Sequence, residues 1–161
     1  MNGLIAKVHA SDHFKVECLR AGRVAWKADF ENLCTTEGLD KLIDAAFKTG
    51  LARPEWMIGL VDGAVEPVFA AADTYALHAG WTENTDYTEQ DRQDFVPGTI
   101  AAGAVDNADS RAVFTISEDG SIAGAFLTDG VVIYGEGAFS GGGRPVEEGD
   151  SLRVTVTASV E

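Results

Sequence analysis

Ser151-Leu152-Arg153-Val154-Thr155-Val156-Thr157-Ala158-Ser159-Val160 alternates without a break. Leu152, Val154, Val156, Ala158 and Val160 take one parity; Arg153, Thr155, Thr157 and Ser159 take the other. Successive side chains of a strand point to opposite faces, so this period of two predicts a half-buried strand. One apolar and one polar face is what an antiparallel sheet with a wet side requires.

Working outward, Ala112–Ile116, Ile122–Leu127 and Val131–Phe139 read as further strands. Asp119-Gly120 and Asp129-Gly130 are hairpin turn pairs between them. Phe139-Ser140-Gly141-Gly142-Gly143-Arg144-Pro145 reads as a flexible connection. In the N-terminal part, His13 to Leu19 alternates, Ala21-Gly22 signals a turn, and Val24, Trp26, Ala28 and Phe30 alternate again, predicting a hairpin. Trp56 to Val61 is a short apolar run ended by Asp62-Gly63, a buried strand.

One helix is expected over residues 36–48. Thr35-Thr36 offers a capping hydroxyl, and Glu37 puts negative charge in the first turn, where the helix dipole favours it. Leu39, Leu42, Ile43, Ala46 and Phe47 form one apolar stripe, which predicts burial of Leu39, Leu42, Ile43 and Phe47. Gly50 is the expected C-cap. Residues 62–110 lack a sustained period and read as long ordered loops with one or two short strands; connections of that length carry function or hide elements. The fold class expected is therefore mainly β: an antiparallel β-sandwich or small barrel with one packed helix, in a single domain spanning residues 1–161.

Composition narrows the functional classes. The 161 residues are 45% hydrophobic and 24% charged, as in an ordinary globular chain. Twenty-six acidic residues against twelve basic ones give a net charge of −14. That field repels phosphate backbones and anionic membrane surfaces, so neither nucleic acid nor membrane is an expected partner. It serves solubility, or it fits a basic partner surface. Met1 to Val8 lacks the pattern of a secretory leader, and no apolar stretch reaches membrane-spanning length. Cys18 and Cys34 are too few for a disulfide framework and read as free thiols.

No catalytic constellation stands out, so no enzyme activity, cofactor or metal is expected. His9 and His13 have helical metal-ligand spacing, but Ser11-Asp12 between them reads as a turn. Ser121 lacks the spacing of a nucleophile elbow. The glycine-rich 139–145 stretch is followed by Pro145 and Glu147-Glu148, where a phosphate loop needs a helix. Asp106-Asn107-Ala108-Asp109 lacks the glycine and closing glutamate of a calcium loop. Trp81 to Arg92 mixes aromatics with hydrogen-bonding residues; it suits an interface, a sugar-binding surface built on Trp81, Tyr87 and Trp56, or a loop pinned by its own aromatics.

Several segments together resemble a family of small virion proteins of tailed bacteriophages. They are Thr35 to Asp44, Trp56 to Asp62, Ala71 to Thr74 leading into His78 to Glu83, Ala112 to Ile116, Gly124 to Thr128, and Gly149 to Thr157. The resemblance runs in order from about Trp26 to the end. It implies a structural protein of the virion, made in the host cytoplasm, that decorates or cements the capsid. Its partners would be the major capsid protein or other virion proteins, with homo-oligomers in the particle. A tail or head-to-tail connector component is the alternative within the virion, and a glycan-binding β module the alternative outside it. Contact candidates are Leu4, Ile5, Val8, Trp81, Tyr87 and Phe95. Leu4-Ile5-Ala6-Lys7-Val8 is either an arm that adds a strand to a neighbour's sheet or an ordinary first strand.

Overall fold

The structure, a computed structural model, describes residues 9–48 and 55–160. Among the described residues it is a mainly β, sandwich-like fold with one α-helix. The first sheet has the order β2 (Arg23–Glu31), β1 (Ala10–Arg20), β12 (Ser151–Val160), β7 (Ala104–Asp106), with β8 (Ala112–Thr115) also on β12. The second runs β3 (Leu33–Cys34), β10 (Ile133–Ala138), β9 (Gly120–Thr128), β4 (Met57–Asp62), β5 (Glu83–Asn84). In that sheet β6 (Gln93–Asp94) also pairs with β4, and β11 (Arg144–Val146) with β9.

The alternation at the C-terminus does what its period predicts. Leu152, Val154 and Val156 are fully buried, and β12 lies at the centre of the first sheet, antiparallel to β1 on one side and to β7 and β8 on the other. Asn107 closes the gap where the partner changes: its buried side chain donates to the Val154 carbonyl at 3.3 Å and accepts from the Val156 amide at 2.7 Å. The inner faces of the two sheets meet in one apolar cluster. Phe14, Val16 and Val154 come from one side and Ile58, Leu60 and Leu127 from the other. The β1–β2 hairpin turns through Ala21 and Gly22, both at positive φ (49° and 74°), as a type I′ turn requires.

Four sequence expectations need correction. Ser11 and Asp12 are not a turn; both lie within β1, paired with Ser159 and Ala158. Asp12 is tolerated there because Asn32 donates to it at 2.9 Å, although burial pushes its carboxyl up to about 7. Asp119-Gly120 does not close a hairpin, since β8 and β9 belong to different sheets. Its turn is a crossover, held by a 2.8 Å bond from the Glu148 amide to the Asp119 carboxylate. The 62–110 span holds three short strands, β5, β6 and β7, plus a 3₁₀ turn at Ala108–Ser110.

The helix correction has the clearest physical cause. Helix α1 spans Thr36–Phe47, and Thr35 caps it by accepting from the Gly38 amide at 3.1 Å. Yet Leu39, Ile43 and Phe47 are exposed, the last at 79%, and Leu42 is half-buried against the core. The helix docks end-on through its first turn. Buried Thr35 donates to the Ile133 carbonyl, and a Cβ on Gly38 would sit 2.5 Å from Tyr134 Cα. Backbone contact at the N-terminus thus replaces side-chain burial along the stripe. Gly50, the expected C-cap, and Leu4, Ile5 and Val8 lie outside the described residues.

Candidate interaction surfaces

The aromatic contact candidates are packing anchors. Trp81, Tyr87 and Phe95 are all buried. Trp81 packs on Phe126 at 4.9 Å between ring centroids and stacks on His78 at 4.1 Å. Tyr87 sets its edge against Phe114 at 4.9 Å. Trp56 is half-buried beside Tyr134. Trp81 and Tyr87 thus pin residues 81–92, as one of the readings open for this stretch expects. The faces of Trp81 and Tyr87 on which a sugar would stack are covered.

What Trp81 anchors is the excursion from Gly63 to Gly80, which lies over the outer face of the second sheet. Beneath it Val61, Trp81, Phe126 and Ile133 form a second buried cluster, with Phe69 and Tyr75 packed against it. The excursion is held at many points. The Val68 amide donates to the Gly80 carbonyl at 2.9 Å, and the Thr36 amide to the Ala71 carbonyl at 2.8 Å. Glu37 Oε1 accepts from the amides of both Tyr75 and Ile133, tying helix, excursion and β10 together. Arg92 clamps Glu83 through two nitrogens, reaches the Tyr75 hydroxyl at 3.0 Å, and lies over the Tyr75 and Phe126 rings. Despite this anchoring, Val65, Val68 and Leu77 stand in water at 78%, 68% and 71% exposure. Ordered aliphatics left in solvent would lose little entropy on being covered, which makes this a candidate docking surface. No periodic signal reveals this surface in the sequence, because side-chain-to-backbone bonds from distant residues hold it.

Glu136 lies at the base of this assembly. It is fully buried, its Oε2 accepts from Trp81 Nε1 at 3.0 Å, and its Oε1 has no hydrogen-bond partner. Burial, reinforced by neighbouring Asp73, pushes its carboxyl up to about 8. Among the thiols, burial pushes Cys18 up to about 12 and Cys34 up to about 11. Both are therefore protonated and weakly reactive at neutral pH.

Two hollows remain. A polar one of about 460 Å³ is lined by Glu83, Glu89, Asp91, Arg92 and Asp94 among others. Glu83 is taken by Arg92, and Glu89 accepts from the Thr115 amide and hydroxyl, both at 2.9 Å. Those two carboxylates hold the fold together. Among the described residues no group of three or more His, Cys, Asp or Glu side chains is placed to hold a metal ion. The larger hollow is an apolar groove of about 1170 Å³ at the open side of the sandwich. Leu42 of α1, Trp56, Phe95, Ile100, Tyr134 and Val160 line it, and Glu55 and Asp94 supply charge.

No protein-family model, no curated protein and no solved structure matches the chain.

Proposed function

We propose that the chain is a non-enzymatic structural protein of a phage particle that decorates or cements the capsid by docking onto capsomers. The observation that carries the reading is the ordered Gly63–Gly80 excursion with Val65, Val68 and Leu77 held out in water. Such a surface suits burial against a pre-formed partner lattice, where apolar area removed from water supplies the attraction. The segments that resemble small virion proteins supply the setting. The net charge of −14 adds a requirement that the capsomer surface beneath be neutral or basic.

The experiment is quantification of the protein in purified particles, with and without charges on the excursion. A copy number on the order of hundreds, spread over capsomer junctions, is expected. Val65→Asp, Val68→Asp and Leu77→Asp together should strip the protein from particles while its melting temperature holds, because all three side chains are exposed. Absence of the native protein from particles overturns the reading. A location at one vertex only would assign it to the tail or connector.

A further inference from the structure

We infer that the outer edge of β2 pairs with β2 of a second copy of the chain, about a two-fold axis at Ala28. Strand β2 ends the first sheet and is bonded on one side only, to β1. The Asn32 amide donates to the Asp12 carbonyl at 3.2 Å, one step beyond the last β1–β2 pair, His13 and Glu31. Hydrogen-bonded and open pairs alternate along an antiparallel ladder. Phe30 and Ala28 therefore turn their backbone groups toward β1, and Glu31, Asp29 and Lys27 turn theirs outward. All three are exposed, and among the described residues no other main-chain group bonds to these outward amides and carbonyls. Such an edge accepts another strand.

Charge selects the occupant and its register. A two-fold axis normal to the sheet keeps each face on its own side and makes the contact self-complementary. An axis at Lys27 or at Asp29 sets like charges directly opposite, which is destabilising. An axis at Phe30 sets Asp29 against Glu31, and one at Trp26 puts the bulge that leaves Ala25 unpaired at the centre. An axis at Ala28 sets Lys27 against Asp29 of the second copy, twice, in the positions that exchange main-chain bonds. On the inner face it sets Trp26 against Phe30, an aromatic cross-strand pair. The outer row then alternates in sign through both molecules. Within one copy Arg153 faces Glu17 and Glu17 faces Lys27, with 2.5 Å between ammonium and carboxylate. Asp29 and then Lys15 of the second copy continue the row. The net charge of −14 on each copy opposes association, but at physiological ionic strength fields are screened beyond about 8 Å. Contacts along the edge therefore decide. The edge is short, because after Glu31 the chain leaves for β3 in the other sheet. About four main-chain bonds are available between the copies, so the dimer is weak.

Light scattering of the purified full chain over a concentration series tests this. The native chain should pass from monomer to dimer with a Kd on the order of 100 μM. Asp29→Lys and Lys27→Asp should each weaken dimerisation at least about tenfold. Their melting temperatures should hold, because both side chains are exposed. An equimolar mixture of the two variants should recover the native affinity as a heterodimer, since each offers the charge that the other lacks. Ala28→Cys checks the register without using charge: only an axis at Ala28 brings the two sites within disulfide reach, so mild oxidation should link the copies. A native chain that stays monomeric up to about 1 mM overturns the inference. So does a dimer indifferent to both charge variants, or a mixture that associates no better than either variant alone. A dimer that Ala28→Cys fails to link overturns the register. All of this is read on purified protein, so its outcome is independent of particle docking.

Discussion

Replacing Glu136 with glutamine should change how stability depends on pH. In the unfolded chain a glutamate loses its proton near 4.5; in the fold this one keeps it up to about 8, because burial and Asp73 oppose the charge. Between those values the folded state holds a proton that the unfolded state has released. Stability is therefore full below about 4.5 and falls as pH rises toward 8. At 1.36 kcal/mol per pH unit, the decline from this one group is on the order of 5 kcal/mol across the interval from 4.5 to about 8. Glutamine keeps an oxygen for Trp81 Nε1 and cannot ionise. The assay is urea unfolding followed by tryptophan fluorescence at several pH values from about 5 to about 8. Glu136→Gln should match the native chain within about 1 kcal/mol at the acid end, and gain on it steadily as pH rises. Asp12, pushed up to about 7, tilts both curves alike and drops out of the difference. A difference that stays flat with pH would refute the reasoning, since Glu136 would then ionise alike in both states.

Gly80→Ala would bring a Cβ to 2.0 Å from the Val68 carbonyl oxygen. The excursion must shift, and limited proteolysis should cut within residues 63–80 at a lower protease dose. Leu42→Asp should destabilise by about 2 kcal/mol because Leu42 packs on the core, whereas Phe47→Asp, at a site 79% exposed, should change thermal stability by under about 0.5 kcal/mol. If Phe47→Asp is the costlier of the two, the end-on docking of the helix is wrong. Asn107→Ala leaves the Val154 carbonyl and Val156 amide without their side-chain partner. It should lower stability by about 2 kcal/mol in denaturant unfolding.

Periodicity made the strands legible, because alternation reports directly on which side chains face the core. Thus β12, β1, β2 and β4 stand where the sequence places them. Pairing was less legible. Asp119-Gly120 announces a reversal, but turn chemistry does not say whether the returning strand rejoins the same sheet, and here β9 joins the other one. The helix showed its cap and first turn in Thr35 and Glu37, whereas its packing face was misread. An apolar stripe predicts lateral burial, but a capping hydroxyl and a glycine pressed against β10 hold this helix by its end. The exposed aliphatics of the excursion were not legible in the sequence. Trp81, Tyr87 and Phe95 carry large apolar area, so the fold draws them inward. The smaller Val65, Val68 and Leu77 are left outside on a loop without period.

The buried acid and the exposed aliphatics belong to one arrangement, and that gives the last prediction. Glu136 sits on β10 beneath Trp81, and Trp81 directly follows the end of the excursion at Gly80. Ionising Glu136 puts an uncompensated charge in an apolar cluster, and its unpartnered Oε1 then needs water. Water can reach it most readily by lifting the excursion, because β9 and β10 are locked into the sheet by continuous pairing whereas the excursion is held by scattered hydrogen bonds. Hydrogen exchange of the 68–81 amides, corrected for the intrinsic pH dependence of exchange, should speed up as pH rises from about 5 toward about 8 in the native chain and level off above that. It should stay level in Glu136→Gln. Exchange in β12, at the centre of the other sheet, should stay slower than in 68–81 at every pH, since it opens only when the whole fold does. Rates in 68–81 no faster than those in β12 would mean that the acid acts only through the stability of the whole fold and not by lifting the excursion. Faster exchange in 68–81 would make presentation of Val68 and Leu77 pH-dependent, with the proposed docking weakening on the alkaline side.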